Sequence, residues 1–413
     1  MVILKILKQY ENLLLFFAFI VIVFLINLSI QYTKYQELID EEIYETKAKV
    51  INIYKKEDYN VIKLQNSDID FFTSVNKDEL INKNDVLNIV FITSNISFVK
   101  YLKGFYTNTI YFNHVNYTKT IKDKISQNIS NQHENPIIKE LFQALFLAIP
   151  ISQELRQICT NYGISHLIAL SGFHLAVLSF LIYWILYYPY NFIHQRYFPF
   201  RNKKYDLILI SIVFLFIYLI FTNMVASLLR AFVMFVIGIY LLRTNIKIFS
   251  FLNLFIVLLI ILAMFPKYIF SLSLWFSMFG VFYIFLYIQY FKDIKSKVFQ
   301  VVFFNFWIYF VMNPIVHYFF HNVTYEQLLS PFITLAFTLF YPSELLLHIL
   351  AVGYSFDTFI EYFLSYEFTV FTKQTHILFF ALYILFSFLS IFSKNAFIFL
   401  NILLFLFTGY LFL

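Results

Sequence analysis

Residues 163–190 read GISHLIALSGFHLAVLSFLIYWILYYPY, and this stretch decides the fold. Its second half is apolar and, with the first, long enough to cross a bilayer as a helix of about 20 residues. Residues 163–177 also carry two histidines, two serines and two glycines. Polar side chains are expensive in hydrocarbon, so they face a bundle interior or a water-filled path. A glycine beside a serine at that depth invites a break, with freed backbone groups turned to water or a ligand. The stretch therefore predicts a membrane helix, broken near Gly172, with a polar working surface at its mouth.

Composition extends that reading to the whole chain. Of 413 residues 61% are hydrophobic and 13% charged, with a mean hydropathy of +0.73. A soluble domain carries roughly twice that charge. The predicted fold class is a polytopic α-helical membrane protein with one small extracytoplasmic all-β domain near the N-terminus. The length allows about nine spans beside that domain. The 57 Phe and 32 Tyr fit an AT-rich genome and say little about stacking sites. Cys159 is the only cysteine, so no internal disulfide forms and the β domain must rest on its core. The net charge of +6 is modest and partly reflects loop lysines that set topology.

Along the chain, Glu11–Ile30 is a strong first span behind Lys5 and Lys8. No small-residue cleavage site follows, so residues 1–33 read as a retained anchor with its N-terminus in the cytoplasm. Residues 34–116 are polar and alternate, with strands expected at Glu45–Tyr54, Tyr59–Leu64, Asp85–Ile92 and Tyr106–Phe112. That is the pattern of a small barrel or sandwich. Residues 117–162 read as amphipathic, interfacial helices, with the apolar Leu141–Ile149 too short to span.

Residues 163–413 hold the remaining spans, near 206–222, 224–242, 248–265, 269–290, 298–320, 376–393 and 395–413. Arg196, Arg201, Lys203 and Lys204, then Arg243 and Lys247, then Lys292, Lys295 and Lys297 mark cytoplasmic loops. With that parity the β domain lies outside. Pro331 and Pro342 interrupt 328–350, and Asp357, Glu361 and Glu367 follow. A broken or re-entrant element is expected there, then an interfacial helix at 354–372.

Arg230 falls mid-way along Asn223–Leu242. A central arginine costs about 2.5–3.5 kcal/mol on insertion scales, so it needs a partner or a wet cavity. Asn223, Ser227, Arg230 and Met234 share one helical face by spacing, a stripe suited to an anion. The bland alternative is an arginine anchored on backbone carbonyls. His166, Ser171 and His174 read as path-lining or catalytic residues, or as histidines satisfied between helices. Ser273, Ser277 and Gly280 read as a close-packing face. Arg156 is a candidate phosphate contact. Lys100, Lys103, Lys119, Lys122 and Lys124 form a late basic bias, read as a solvated face or a nucleic-acid contact. No metal-ligand spacing occurs, and no cofactor or metal is expected.

Gly163, His166, Leu167, Ala169, Ser171, Gly172 and His174 match the hallmark of a known family. Ala226, Ser227, Arg230, Ala231 and Met234, followed by Leu241 and Arg243, match its second block. Pro266 with Ser271–Phe279 is similar to a third. Phe98, Tyr101, Leu102, Gly104 and Phe105 resemble the end of its OB-fold domain. The chain thus resembles the ComEC family, inner-membrane channels that import single-stranded DNA during natural transformation. Two positions depart from the family: Ala148 stands where it carries glycine, and Ser330–Pro331 where it carries Asn-Pro.

The resemblance implies a non-enzymatic channel in the bacterial inner membrane, with single-stranded DNA and lipid as its partners. His166, Ser171, Gly172, His174, Asn223, Ser227 and Arg230 would line the path, and Arg156, Lys100 and Lys103 would touch DNA. A periplasmic DNA-binding protein and a cytoplasmic translocation ATPase are expected partners, since no Walker motif is present. Many members end in a metallo-β-lactamase-like domain. The sequence reads to Leu413 without one, so a separate nuclease is expected wherever a strand is degraded. The rival readings are an intramembrane serine hydrolase using Ser171 with a histidine, and a solute transporter. Against the first, Ala169 stands where rhomboid-type sites carry glycine. Against the second, no repeat of broken helices is apparent.

Overall fold

The computed structural model describes residues 2–66, 69–94, 96–115, 120–242 and 250–413. Lys119, Arg243 and Lys247 therefore lie outside the described residues. Two compact units divide the chain: residues 1–121 with 255–274, and residues 122–254 with 275–413.

The first unit opens with α1 (Val2–Ile39), whose lipid-like face exposes Leu14, Phe19, Ile22 and Ile26. Asn27, the polar exception, donates to Val23 O and to Ala263 O, both at 3.0 Å. The strands are β1 (Ile43–Lys55), β2 (Tyr59–Gln65), β3 (Asp70–Asn76) and β4 (Val86–Ile92). Then come α2 (Phe98–Lys103), β5 (Phe105–Tyr106) and β6 (Thr109–His114). β1 pairs antiparallel with β2 and β4, and β2 with β3. β5 runs parallel to β3 while β6 runs antiparallel to β4. The single segment 105–114 thus touches both ends of the sheet and closes it. Alternation places Val50, Ile62, Leu64, Phe71, Leu87, Ile89, Phe91 and Phe105 inside. β3 was not among the expected strands, although Phe71, Thr73 and Val75 alternate inward. Ser97 caps α2, and Gly104, at φ +93, turns the chain into β5.

The second unit begins with α3 (Ile121–Ser130), α4 (Pro136–Leu147) and α5 (Gln153–Asn161). A four-residue α6 (Ser165–Ile168) leads into α7 (Gly172–Tyr197), α8 (Lys203–Phe221) and α9 (Ala226–Leu242), then α10 (Phe251–Met264), α11 (Leu272–Phe291) and α12 (Lys297–Phe319). Of these, α10 and α11 are shared between the units. β7 (Asn322–Val323), α13 (Ser330–Ile349), α14 (Asp357–Leu364), β8 (Phe371–Thr372), α15 (Ile377–Leu389) and α16 (Lys394–Phe412) complete it. β7 and β8 pair antiparallel.

Among the described residues, seven helices are long and apolar enough to cross a membrane, including Ser165–Tyr197 and Tyr325–Ile349. The chain is a polytopic helical membrane protein with a small N-terminal β sheet. Three expected spans are not among these seven: α9, α10 and α15. α10 and α15 hold 14 and 13 residues, about 20 Å each, short of a hydrocarbon core near 30 Å. The break expected in 328–350 is absent: α13 is continuous. Pro331 sits in its first turn, where no N–H is needed. Pro342 removes one ladder bond, a loss that membrane helices tolerate. The interfacial stretch 354–372 resolves into a 3₁₀ turn, α14 and β8.

Candidate functional site

The hallmark stretch forms an elbow. Gly163, at φ +69, ends the α5 turn and presses on the start of α13. A Cβ there would stand 3.3 Å from Ser330 Cβ, and Ser330 Oγ donates to Gly163 O at 2.9 Å. The helix stops after Ile168, runs extended through Ala169–Ser171, and restarts at Gly172. The break lies one residue before the glycine because Ser171 supplies the cap.

Ser171 and His174 form a reciprocal capping box. Phe173 N donates to Ser171 Oγ at 3.3 Å, and Ser171 N donates to His174 Nδ1 at 3.2 Å. With Nδ1 accepting, the ring proton of a neutral imidazole sits on Nε2. That nitrogen is buried and has no hydrogen-bond partner among the described residues. The ring stands edge-to-face with Tyr341, centroids 4.4 Å apart. Ser171 Oγ and His174 Nδ1 also approach to 3.1 Å. The pair has the contact of a nucleophile and base, but among the described residues no carboxylate orients His174.

α9 closes on this elbow. Ser227 donates to Leu170 O at 2.5 Å, satisfying a carbonyl freed by the break. Gly172 lets the helices meet: a Cβ there would lie 3.4 Å from Ala231 Cβ and 3.6 Å from Arg230 Nη2. Arg230 is 7% exposed. Its Nε donates to Ser277 Oγ of α11 at 2.7 Å, and Nη1 contacts Met234 Sδ at 3.4 Å. Among the described residues, Nη2 has no hydrogen-bond partner and no carboxylate pairs with the guanidinium. Nη2 points to the N-terminus of α7, whose end carries about half a positive charge. A cation and a helix N-terminus side by side favour an anion between them.

The structure brings together Ser171, Gly172, His174, Ser227 and Arg230. It does not bring Asn223 with them. Asn223 and Met224 take φ of +58 and +52, forming a left-handed turn before α9, and Asn223 is exposed. The helical face inferred from spacing starts only at Ala226, so the stripe loses its first member. Arg230 accordingly lies in the second turn of α9, not at its middle. His166 sits apart on α6, with Nε2 3.2 Å from Thr334 Oγ1. Arg156, Lys100 and Lys103 are exposed, on α5 and α2 respectively. Ser277 is a partner of Arg230 and not only a small packing residue. At Gly280 nothing lies within 4 Å of a would-be Cβ, so no neighbour packs against it there. Sequence reasoning missed Tyr341 and Thr334, both on α13. Their repeat at seven residues was the available signal.

Two further hydrogen bonds hold the elbow. Gln327 Nε2 donates to Thr160 O at 3.1 Å, and Tyr162 donates to Phe363 O at 2.8 Å. Burial pushes the Tyr162 hydroxyl up to about 12 and the Cys159 thiol up to about 12. Ala148 ends α4 in the left-handed region at φ +55. A family model described as Competence protein matches residues 150–413. No curated protein and no solved structure matches the chain.

Proposed function

The chain belongs to the ComEC family of competence proteins, with a role in DNA uptake, and we propose that it is the membrane channel that passes single-stranded DNA. The observation that carries this reading is Arg230: a buried guanidinium, with no carboxylate partner among the described residues, whose Nη2 faces the start of α7. A polyanion crossing a bilayer needs donors and positive charge that hold each phosphate weakly enough to release it. Arg230, the α7 amides and the Nε2 of His174 supply donors of that kind. Ser227 and Ser277 position the elbow and the guanidinium. His166 on α6 and Arg156 on α5 are exposed and serve the mouth.

We read the closed strand order β1-β2-β3-β5/β6-β4 as that of an OB-like domain. Such surfaces hold single strands through stacking and backbone contacts. Tyr106 and Tyr111 are exposed on its last strands, and Lys100 and Lys103 precede them on α2. In this reading the β domain is extracytoplasmic and the N-terminus cytoplasmic, in the bacterial inner membrane. A periplasmic DNA-binding protein delivers the strand, and a cytoplasmic ATPase draws it in. The capping box speaks against a serine hydrolase, because Ser171 already accepts from Phe173 N.

The test is labelled DNA given to a deletion strain complemented with wild type or with Arg230→Ala. The label should reach the cytoplasm with wild type and stop outside the membrane with the variant. Equal uptake would remove Arg230 from the path.

A further inference from the structure

A second polar cluster lies away from the elbow, where the α3–α4 turn meets the end of α13 and the start of α14. The His133 side chain is fully buried there, stacked on Phe142 at 4.7 Å. Its Nδ1 lies 2.8 and 3.0 Å from the two Asp357 carboxylate oxygens. Its Nε2 lies 2.9 Å from His348 Nε2. His348 Nδ1 in turn lies 2.8 Å from Glu344 O and 3.3 Å from Glu344 Oε2. Asp357 is 20% exposed at one end, and Glu344 is 1% exposed at the other. Neither Glu344 carboxyl oxygen has a hydrogen-bond partner among the described residues.

The surroundings are built around this chain. Gln132 Nε2 donates to His348 O at 3.2 Å, and Gly353 N donates to Gln132 Oε1 at 3.0 Å. A Cβ at Gly353 would stand 2.8 Å from Gln132 Oε1 and 2.9 Å from the His348 ring, so only glycine closes the loop. The groups run in line, so they form a chain of exchangeable protons and not a cage for a metal.

We propose that Asp357, His133, His348 and Glu344 form a proton relay that carries a proton from water to the buried Glu344 carboxyl. The proton count follows from the contacts. The contacts match the moment of entry: Asp357 and His133 Nδ1 share the incoming proton at 2.8 Å, His133 Nε2–H donates to His348 Nε2, and His348 Nδ1–H donates to Glu344 O. A proton from water enters at Asp357 and passes to His133 Nδ1, making an imidazolium. His133 then gives its Nε2 proton to His348 Nε2, and His348 gives its Nδ1 proton to Glu344 Oε2. Both rings end neutral, Asp357 stays ionised, and Glu344 ends as a neutral acid. Burial pulls the His133 imidazole below its ordinary value, and Asp357 opposes that pull. The ring is thus neutral at neutral pH and takes its proton on acidification.

Other titratable groups nearby are Glu361 of α14, held by Asn135 Nδ2 at 2.9 Å, and Tyr341, one turn before Glu344 on α13. Tyr341 is the ring against His174, so a charge change at Glu344 occurs one helical turn from the elbow. The relay does not depend on which cargo passes.

The test is infrared difference spectroscopy of the full chain in phospholipid vesicles across a drop in pH, with deuterium exchange of the new carboxylic-acid band. That band should appear in wild type and vanish in Glu344→Gln. Its exchange should slow by about a hundredfold in His348→Gln and His133→Gln, the scale of a positioned proton-transfer group. Should those two misfold, Asp357→Asn, at the exposed end, carries the same expectation. No acid band in wild type, a band that survives Glu344→Gln, or unchanged exchange in Asp357→Asn would each reduce the cluster to packing.

Discussion

Replacing Arg230 by methionine removes a guanidinium that is 7% exposed and keeps a long unbranched side chain in α9. Two terms oppose each other. The 2.7 Å bond from Nε to Ser277 Oγ is lost, and hydrogen bonds to charged groups contribute about 1.5–3 kcal/mol. The burial of an unpaired cation is relieved, worth about 2.5–3.5 kcal/mol at a helix centre and less in the second turn. The fold should therefore change in stability by no more than about 1 kcal/mol. Uptake should not survive so well. Losing one charge-assisted contact of about 1.5–3 kcal/mol to each passing phosphate slows passage by about 10- to 150-fold. Thermal unfolding in detergent and uptake of labelled DNA measure the two separately. Destabilisation of about 3–5 kcal/mol, the cost of orphaning a buried partner, would mark Arg230 as a structural anchor. Undiminished uptake would refute the reasoning equally.

Three further outcomes follow from the same geometry. Ala148→Gly should stabilise the protein by about 0.5–1 kcal/mol, because relief of a left-handed Cβ outweighs the extra backbone entropy of glycine; a loss on thermal unfolding would contradict it. Ser171→Ala should lower stability by about 1 kcal/mol through the lost cap yet leave most uptake in place, whereas a hydrolase nucleophile would leave none. Cys159, buried with its thiol pushed up to about 12, should resist a water-soluble maleimide until the protein is unfolded. Rapid labelling of the folded protein would show that α5 is not packed as described.

The parts of the fold that were legible are those set by local pattern. Apolar length announced α1, α7, α8, α12 and α16, and the Ser-Gly step announced the break that Ser171 caps. Left-handed turns hid the rest: a 3.6-residue period runs through Asn223 on paper, but Asn223 and Met224 end it. The contacts that give the site its chemistry join distant positions. Arg230 meets Ser277 across 47 residues, and His133 meets His348 across 215. Asp357 and Glu361 read as topology markers in sequence because nothing local ties them to His133 or Asn135.

The central claim is that DNA passes the meeting point of α7 and α9. A cysteine at Gly172, in a Cys159→Ala background, fits there: its Cβ has 3.4 Å to Ala231 and 3.6 Å to Arg230 Nη2. Its control is Phe180→Cys, further along α7 and 65% exposed on the lipid-like face. During uptake of single-stranded DNA bearing thiol-reactive phosphorothioate adducts, Gly172→Cys should crosslink to the strand and Phe180→Cys should not. Equal crosslinking at both positions, or transport without any crosslink at 172, would contradict the account.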